Sequence, residues 1–181
     1  MTTRTAAALA SASVALLAVL AGCGGTVSDQ ETGTIRTEPL PAPERELPPV
    51  QPVAAADCPY LSVAEAAEAG AAPVTEVRID ESIDPAACFF YGTDGSVILT
   101  TTVYTVDSAE RARELVAESA PEDTAEEATA DGGWVGARTG GAAGALVVLS
   151  RGDQLLAVQT VNEEAGPAQQ VAELVGPRLA E

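Results

Sequence analysis

Three cysteines, no histidine and no lysine define the chemistry open to this chain of 181 residues. Ser-His-Asp and Cys-His arrangements need an imidazole to take the nucleophile's proton, and Ser-Lys or Schiff-base chemistry needs an amine. Both are therefore excluded. What remains is thiol chemistry at Cys23, Cys58 and Cys88 and carboxylate chemistry from 27 Asp and Glu residues.

Cys23 follows Leu20-Ala21-Gly22, the small-residue setting in which a cysteine thiol accepts a diacylglyceryl group before the chain is cut on its amino side. Met1 to Arg4 carries one positive charge, and Ala6 to Leu20 is a 15-residue run of apolar and small hydroxyl residues. Together these form a secretory signal with a charged start, an apolar middle and a small-residue cleavage site. The run is too short and Ala-rich for a membrane span, which needs about 20 apolar residues. The expectation is a signal peptide over residues 1–22 and lipid, palmitate included, on Cys23, holding the chain at the extracytoplasmic face of the cell membrane. Two or more acyl chains hold a protein stably where one does so only marginally.

Cys58 and Cys88 remain, in a setting where disulfides persist. A bond between them closes a loop of about 30 residues, worth about 3.5–4 kcal/mol in the chain-entropy account. Metal binding is the rival reading, but two isolated cysteines without any His make a poor site.

Among the acids, Asp80, Glu81 and Asp84 fall together, and Glu122, Asp123, Glu126, Glu127 and Asp131 form a second group. Glycosidases set two carboxyls about 5–9.5 Å apart across a sugar. Calcium loops need regularly spaced oxygens around a Gly turn, which Asp80-Glu-Ser-Ile-Asp84 lacks. Both groups read as solvated loops. All six aromatics, Tyr60, Phe89, Phe90, Tyr91, Tyr104 and Trp134, lie between residues 60 and 134. They read as core around the disulfide, with an aromatic-lined cleft as the alternative. On a strand, Cys88 and Phe90 face one way and Phe89 and Tyr91 the other, so one sheet face carries aromatics away from the disulfide. Arg151-Gly152-Asp153 spells an adhesion tripeptide, yet Gly-Asp between apolar runs is ordinary turn chemistry. No Gly-rich phosphate loop, dinucleotide fingerprint or metal-spaced cysteine set points to a cofactor.

The elements that position these residues follow from pattern. Residues 24–56 hold six of the twelve prolines and few large apolar side chains, so residues 23–56 read as a lipidated cysteine and tether. The tether reaches about 30 Å as a coil and about 100 Å as polyproline II. Residues 57–181 form one domain. Ser62-Val-Ala-Glu65 is a capping box for a short helix ending at Gly70. Residues 74–79 alternate as a half-buried strand, and Cys88–Tyr91 and Val97–Thr105 form a hairpin across Gly92-Thr-Asp-Gly95. Asp107 and Glu110 cap a helix over about residues 108–119. After an acidic loop at 120–133 come strands at Trp134–Arg138, Ala145–Ser150 and Leu155–Val161. A last helix starts at Gly166-Pro167, buries Ala168, Val171, Val175 and Leu179, and is kinked or ended early by Pro177. The order α-β-β-β-α-β-β-β-α specifies an α+β fold, an antiparallel sheet with packed helices. It leaves room for two degenerate βββα halves, without a residue-level repeat to establish them.

Net charge is −18, and residues 57–181 carry 22 acids against six Arg. Such a field repels polyanions, which excludes nucleic acid as a partner.

Asp57-Cys-Pro-Tyr-Leu61, Val77-Arg-Ile-Asp80, Pro85-Ala-Ala-Cys-Phe-Phe-Tyr91, Trp134 in its Gly-rich setting and the last helix together resemble an uncharacterised family of actinobacterial lipoproteins, domain of unknown function 2020. The resemblance covers roughly residues 57–180. It implies an envelope lipoprotein domain and brings no activity or catalytic residues. The functional expectation is a non-catalytic module that meets an envelope protein, glycan or lipid. The alternative is a carboxylate-based hydrolase acting on wall carbohydrate.

Overall fold

The computed structural model describes residues 47–180. The signal over residues 1–22, Cys23 and the tether as far as residue 46 lie outside the described residues.

Local signals set the elements. Ser62 caps helix α1 (Val63–Ala69): its hydroxyl accepts from the Glu65 amide while the Glu65 carboxylate accepts from the Ser62 amide. Strand β2 (Glu76–Asp80) buries Val77 and Ile79 and leaves Arg78 half-exposed between them. Strands β3 (Ala87–Tyr91) and β4 (Val97–Thr105) turn across Gly92–Ser96, with Gly95 at φ 79° as the tight turn requires. Helix α2 (Ala109–Ser119) is capped by Ser108, whose hydroxyl accepts from the Arg111 amide, one residue after the expected Asp107. The strands β6 (Trp134–Gly141), β7 (Gly144–Arg151) and β8 (Gln154–Thr160) form a meander, and helix α3 spans Ala165–Leu179. Pro177 does not end α3 early: it sits in the last turn, and the helix runs on to Leu179. Arg151 donates to the carbonyls of Leu179 and Ala180 at 3.1 and 3.2 Å, closing that helix end.

Two strands extend the expected order. β1 (Ala54–Ala55) pairs with β2, and β5 (Glu126–Ala130) pairs with β6 inside the stretch expected to be an acidic loop. The α+β fold thus contains one antiparallel sheet in the order β1-β2-β3-β4-β8-β7-β6-β5. Two meanders, β1–β4 and β5–β8, meet at the β4–β8 pair.

Alternation on β7 defines the layers. Ala145, Val147 and Leu149 pack with Ala168, Val171 and Val175 of α3 on one face, where α1 and the disulfide also lie. Leu146 and Val148 pack with Leu115 and Val116 of α2 on the other. Fully burying each such aliphatic side chain contributes about 1.5–3 kcal/mol. The two long helices lie on opposite faces but both cover the second meander, so the symmetric strand order does not extend to the helices.

Candidate binding face

On the disulfide face the chain is closed. Cys58 and Cys88 are bonded, with Cα atoms 5.6 Å apart. Tyr60 sits beside them, its hydroxyl 3.0 Å from the Ala86 carbonyl and 3.1 Å from Thr101 Oγ1. Burial pushes the Tyr60 phenol up to about 12, against a smaller downward pull from Thr101. A cleft of ≈ 580 Å³ beside Cys58 is crossed by Arg178, which donates to the Tyr60 carbonyl and to both Glu65 carboxylate oxygens. Those bonds, that from Arg178 first and those from Ser62 next, hold the Glu65 carboxyl down at about 2. Arg178 and Glu65 are thereby engaged with each other.

The opposite face differs between its halves. α2 covers β6, β7 and β8. Over β2–β4, alternation with the buried Val77, Cys88, Phe90, Leu99 and Val103 places Arg78 and Asp80, Phe89 and Tyr91, and Thr100, Thr102 and Tyr104 on this face. The Arg78 guanidinium carbon lies 5.7 Å from the Tyr91 ring centroid, within cation–π range. Its Nε donates to Glu76 at 2.7 Å, a bond that raises the Arg78 pKa. Tyr91 and Thr100 remain half-exposed.

A strap formed by residues 47–53 crosses this half. The Tyr104 hydroxyl donates to the Pro48 carbonyl at 3.1 Å. The Gln51 amide donates to Asp80 Oδ2 at 2.7 Å, and the Val53 amide to the Ile79 carbonyl at 3.1 Å. Leu47 packs beside Tyr104, Leu115 and Leu155. Phe89 and Thr102, lying between the anchoring points, are 7% and 8% exposed although α2 lies over the other half. The Gln51 amide, followed by Ser82, holds the Asp80 carboxyl below its ordinary value. Burial first, and the Asp80 charge second, raise the Tyr104 phenol, as expected of two groups sharing one groove.

Asp80 is thus the end of β2 and 6% exposed, not part of a solvated loop, whereas Glu81 and Asp84 are exposed. Glu126 and Glu127 lie on β5, where Glu126 pairs with Arg138 at 2.8 Å. Among the described residues no three of His, Cys, Asp and Glu converge to hold a metal ion. No helix among them is long and apolar enough to cross a membrane. Four of the six aromatics, Tyr60, Phe89, Phe90 and Trp134, are core, leaving Tyr91 and Tyr104 at the surface. Arg151 of the Arg-Gly-Asp turn is folded onto α3 with its guanidinium carbon 6.0 Å from the Trp134 ring, so the tripeptide is not displayed for adhesion. Sequence reasoning singled out the Phe89/Tyr91 face but did not place Tyr104 on it and missed the role of Asp80. The weak signal for both is that they are polar residues spaced by alternation onto that same face.

Fold and site together define a small disulfide-stapled α+β domain with a half-sheet that no long helix among the described residues covers. Residues 40–180 match the family model described as Domain of unknown function (DUF2020), and the chain belongs to that family. The match begins seven residues ahead of Leu47 and so takes in the strap as well as the sheet. No curated protein matches the chain.

Proposed function

We propose that the chain is a non-catalytic binding module of the cell envelope, held to the membrane by lipid on Cys23. Its contact surface is the half-sheet around Tyr91, and its partner an envelope protein, glycan or lipid. The observation that carries this reading is the half-exposed Tyr91–Arg78 pair on a sheet face whose other half is sealed by α2. An aromatic ring beside a guanidinium offers both stacking area and charge to a partner.

The alternative, a carboxylate-based hydrolase acting on wall carbohydrate, needs a general acid held protonated near neutral pH. Glu65, Asp80 and Asp94 are instead all held low, each by hydrogen bonds to the charged form. These three are therefore unsuited to that role, and the binding reading rests on the Tyr91–Arg78 pair.

The anchor is tested by Cys23→Ala. Palmitate labelling should disappear and the protein should leave the membrane fraction or persist as uncleaved precursor; unchanged labelling refutes the anchor. The surface is tested by native mass spectrometry of the lipid-free chain against envelope glycan and lipid fractions. A bound mass lost in Tyr91→Ser supports the reading. Turnover of a wall glycan, abolished by neutralising one acid, overturns it in favour of the hydrolase.

A further inference from the structure

The strap makes its hydrogen bonds through main-chain atoms, and the Leu47 side chain adds packing at its start. Its three anchoring bonds use the Pro48 carbonyl and the Gln51 and Val53 amides, and the Ala54–Ala55 pairing with β2 continues the same pattern. Any extended polypeptide offers these groups. The spacing narrows the choice. Pro48 and Gln51, which supply the first two bonds, are three residues apart, and so are the half-buried Leu47 and Val50. A period of three is that of polyproline II. Pro48, Pro49 and Pro52 bring no amide that would need a partner.

The attachment is also shallow. Pro48, Pro49, Gln51 and Val53 are exposed, Val53 by 72%, and β1 is only two residues long. The receiving groups are more deeply placed. Asp80 is 6% exposed, with its Oδ2 aimed at the Gln51 amide, so an emptied groove leaves a carboxylate oxygen short of a donor. That deficit favours a refilled groove over an open one.

We infer that this groove is a binding site for an extended, proline-rich polypeptide, and that such a segment of a partner protein displaces the strap. The inference rests on the proposed binding role and names the class of partner. It makes the strap a resident competitor, so the partner's apparent affinity is reduced by the fraction of time the groove is filled.

The test uses the lipid-free mature chain, in which strap residues 47–53 are replaced by a Gly/Ser stretch, and a fluorescent peptide copying residues 47–56. Anisotropy should show saturable binding at least tenfold tighter than to the unaltered chain. Asp80→Asn in the replaced chain should weaken it at least fivefold. N-methylation of the peptide nitrogen matching Gln51 should abolish binding, while a Gln→Ala change at the same place should leave it unchanged. No saturable binding to the folded, strap-replaced chain, or equal binding of the N-methylated peptide, overturns the inference. Should the replaced chain fail to fold, amide exchange in the unaltered chain decides. The Gln51 amide should exchange at least a hundredfold faster than that of Val103 through local opening of the strap. Equal rates would mean that the strap leaves only when the whole domain unfolds, and would sink the idea. If peptide binding fails while Tyr91→Ser still abolishes capture of a glycan or lipid, the inference falls and the binding role stands.

Discussion

Removing the Cys58–Cys88 bond in the double variant Cys58→Ala/Cys88→Ala should lower the melting temperature by about 13–16 °C. The bonded residues are 30 apart in sequence. A loop of that length restricts the denatured chain by about 12 cal/mol/K, or about 3.6 kcal/mol at 25 °C. At about 2.1 cal/mol/K per residue, the residues from Leu47 to Ala180 unfold with about 280 cal/mol/K, so 3.6 kcal/mol corresponds to about 13 °C. Cys88 is fully buried, and the void left by its sulfur adds about 0.5–1 kcal/mol. Differential scanning calorimetry at pH 7 reads the shift, and replacing both cysteines avoids a free thiol. Urea unfolding supplies the second check: the slope of stability against urea should rise, because an unlinked denatured chain exposes more surface. A fall below about 4 °C with an unchanged urea slope would refute the reasoning, since the closed loop would then not be what stabilises the domain.

Burial raises Tyr60 from 10 to about 12, so its contribution is fully present below pH 10 and is lost as pH climbs from there to about 12. The loss is about 3 kcal/mol, and urea midpoints measured across that window should show it in the parent chain but not in Tyr60→Phe. At pH 7 the same variant should cost about 1–2 kcal/mol, because buried Thr101 loses its partner. Gly136→Ala should destabilise by about 4 kcal/mol or leave the domain unfolded, since a Cβ there would lie 2.1 Å from the Val148 carbonyl oxygen in the adjacent strand. Circular dichroism of that variant would reveal a tolerated substitution. Arg151→Lys should cost about 1 kcal/mol, because an ammonium cannot span the Leu179 and Ala180 carbonyls while resting on Trp134. An unchanged melting curve would deny Arg151 its role at the end of α3.

What the sequence made legible is what side-chain chemistry specifies. The Ser62/Glu65 box, the Gly-bounded β3–β4 hairpin and the alternation of Val77 and Ile79 each carry a local physical reason, and each forms as read. The opposed directions of Cys88 and Phe89 were legible for the same reason. β5 was not, because it is an edge strand: only Ala128 is buried, and Glu126 and Glu127 give it the charge that keeps sheet edges from pairing with other chains. The strap was hidden more thoroughly. Its prolines read as tether, and its hydrogen bonds run through main-chain carbonyls and amides that no side-chain pattern marks. Asp80 was mistaken for loop chemistry because the amide it binds belongs to Gln51, 29 residues earlier and in the stretch that reads as tether from its prolines.

The strand order carries a consequence for how the domain forms. Every neighbouring pair in the sheet joins strands consecutive in the chain except β4–β8. That pair joins residues separated by 49 positions at Thr105↔Gln154 and by 61 at Leu99↔Thr160. Strands β2–β4 and β5–β8 can therefore assemble from short-range hairpins on a timescale of microseconds, whereas β1 joins β2 across α1 and sealing the central seam must meet a further loop-closure cost. Topology of this kind concentrates the folding barrier in one event. Until Val158 meets Thr101 and Leu156 meets Val103, each half exposes at its inner edge a row of unpaired amides and carbonyls flanked by apolar side chains. That seam, rather than either outer edge, is where two immature copies would most readily join by mistake.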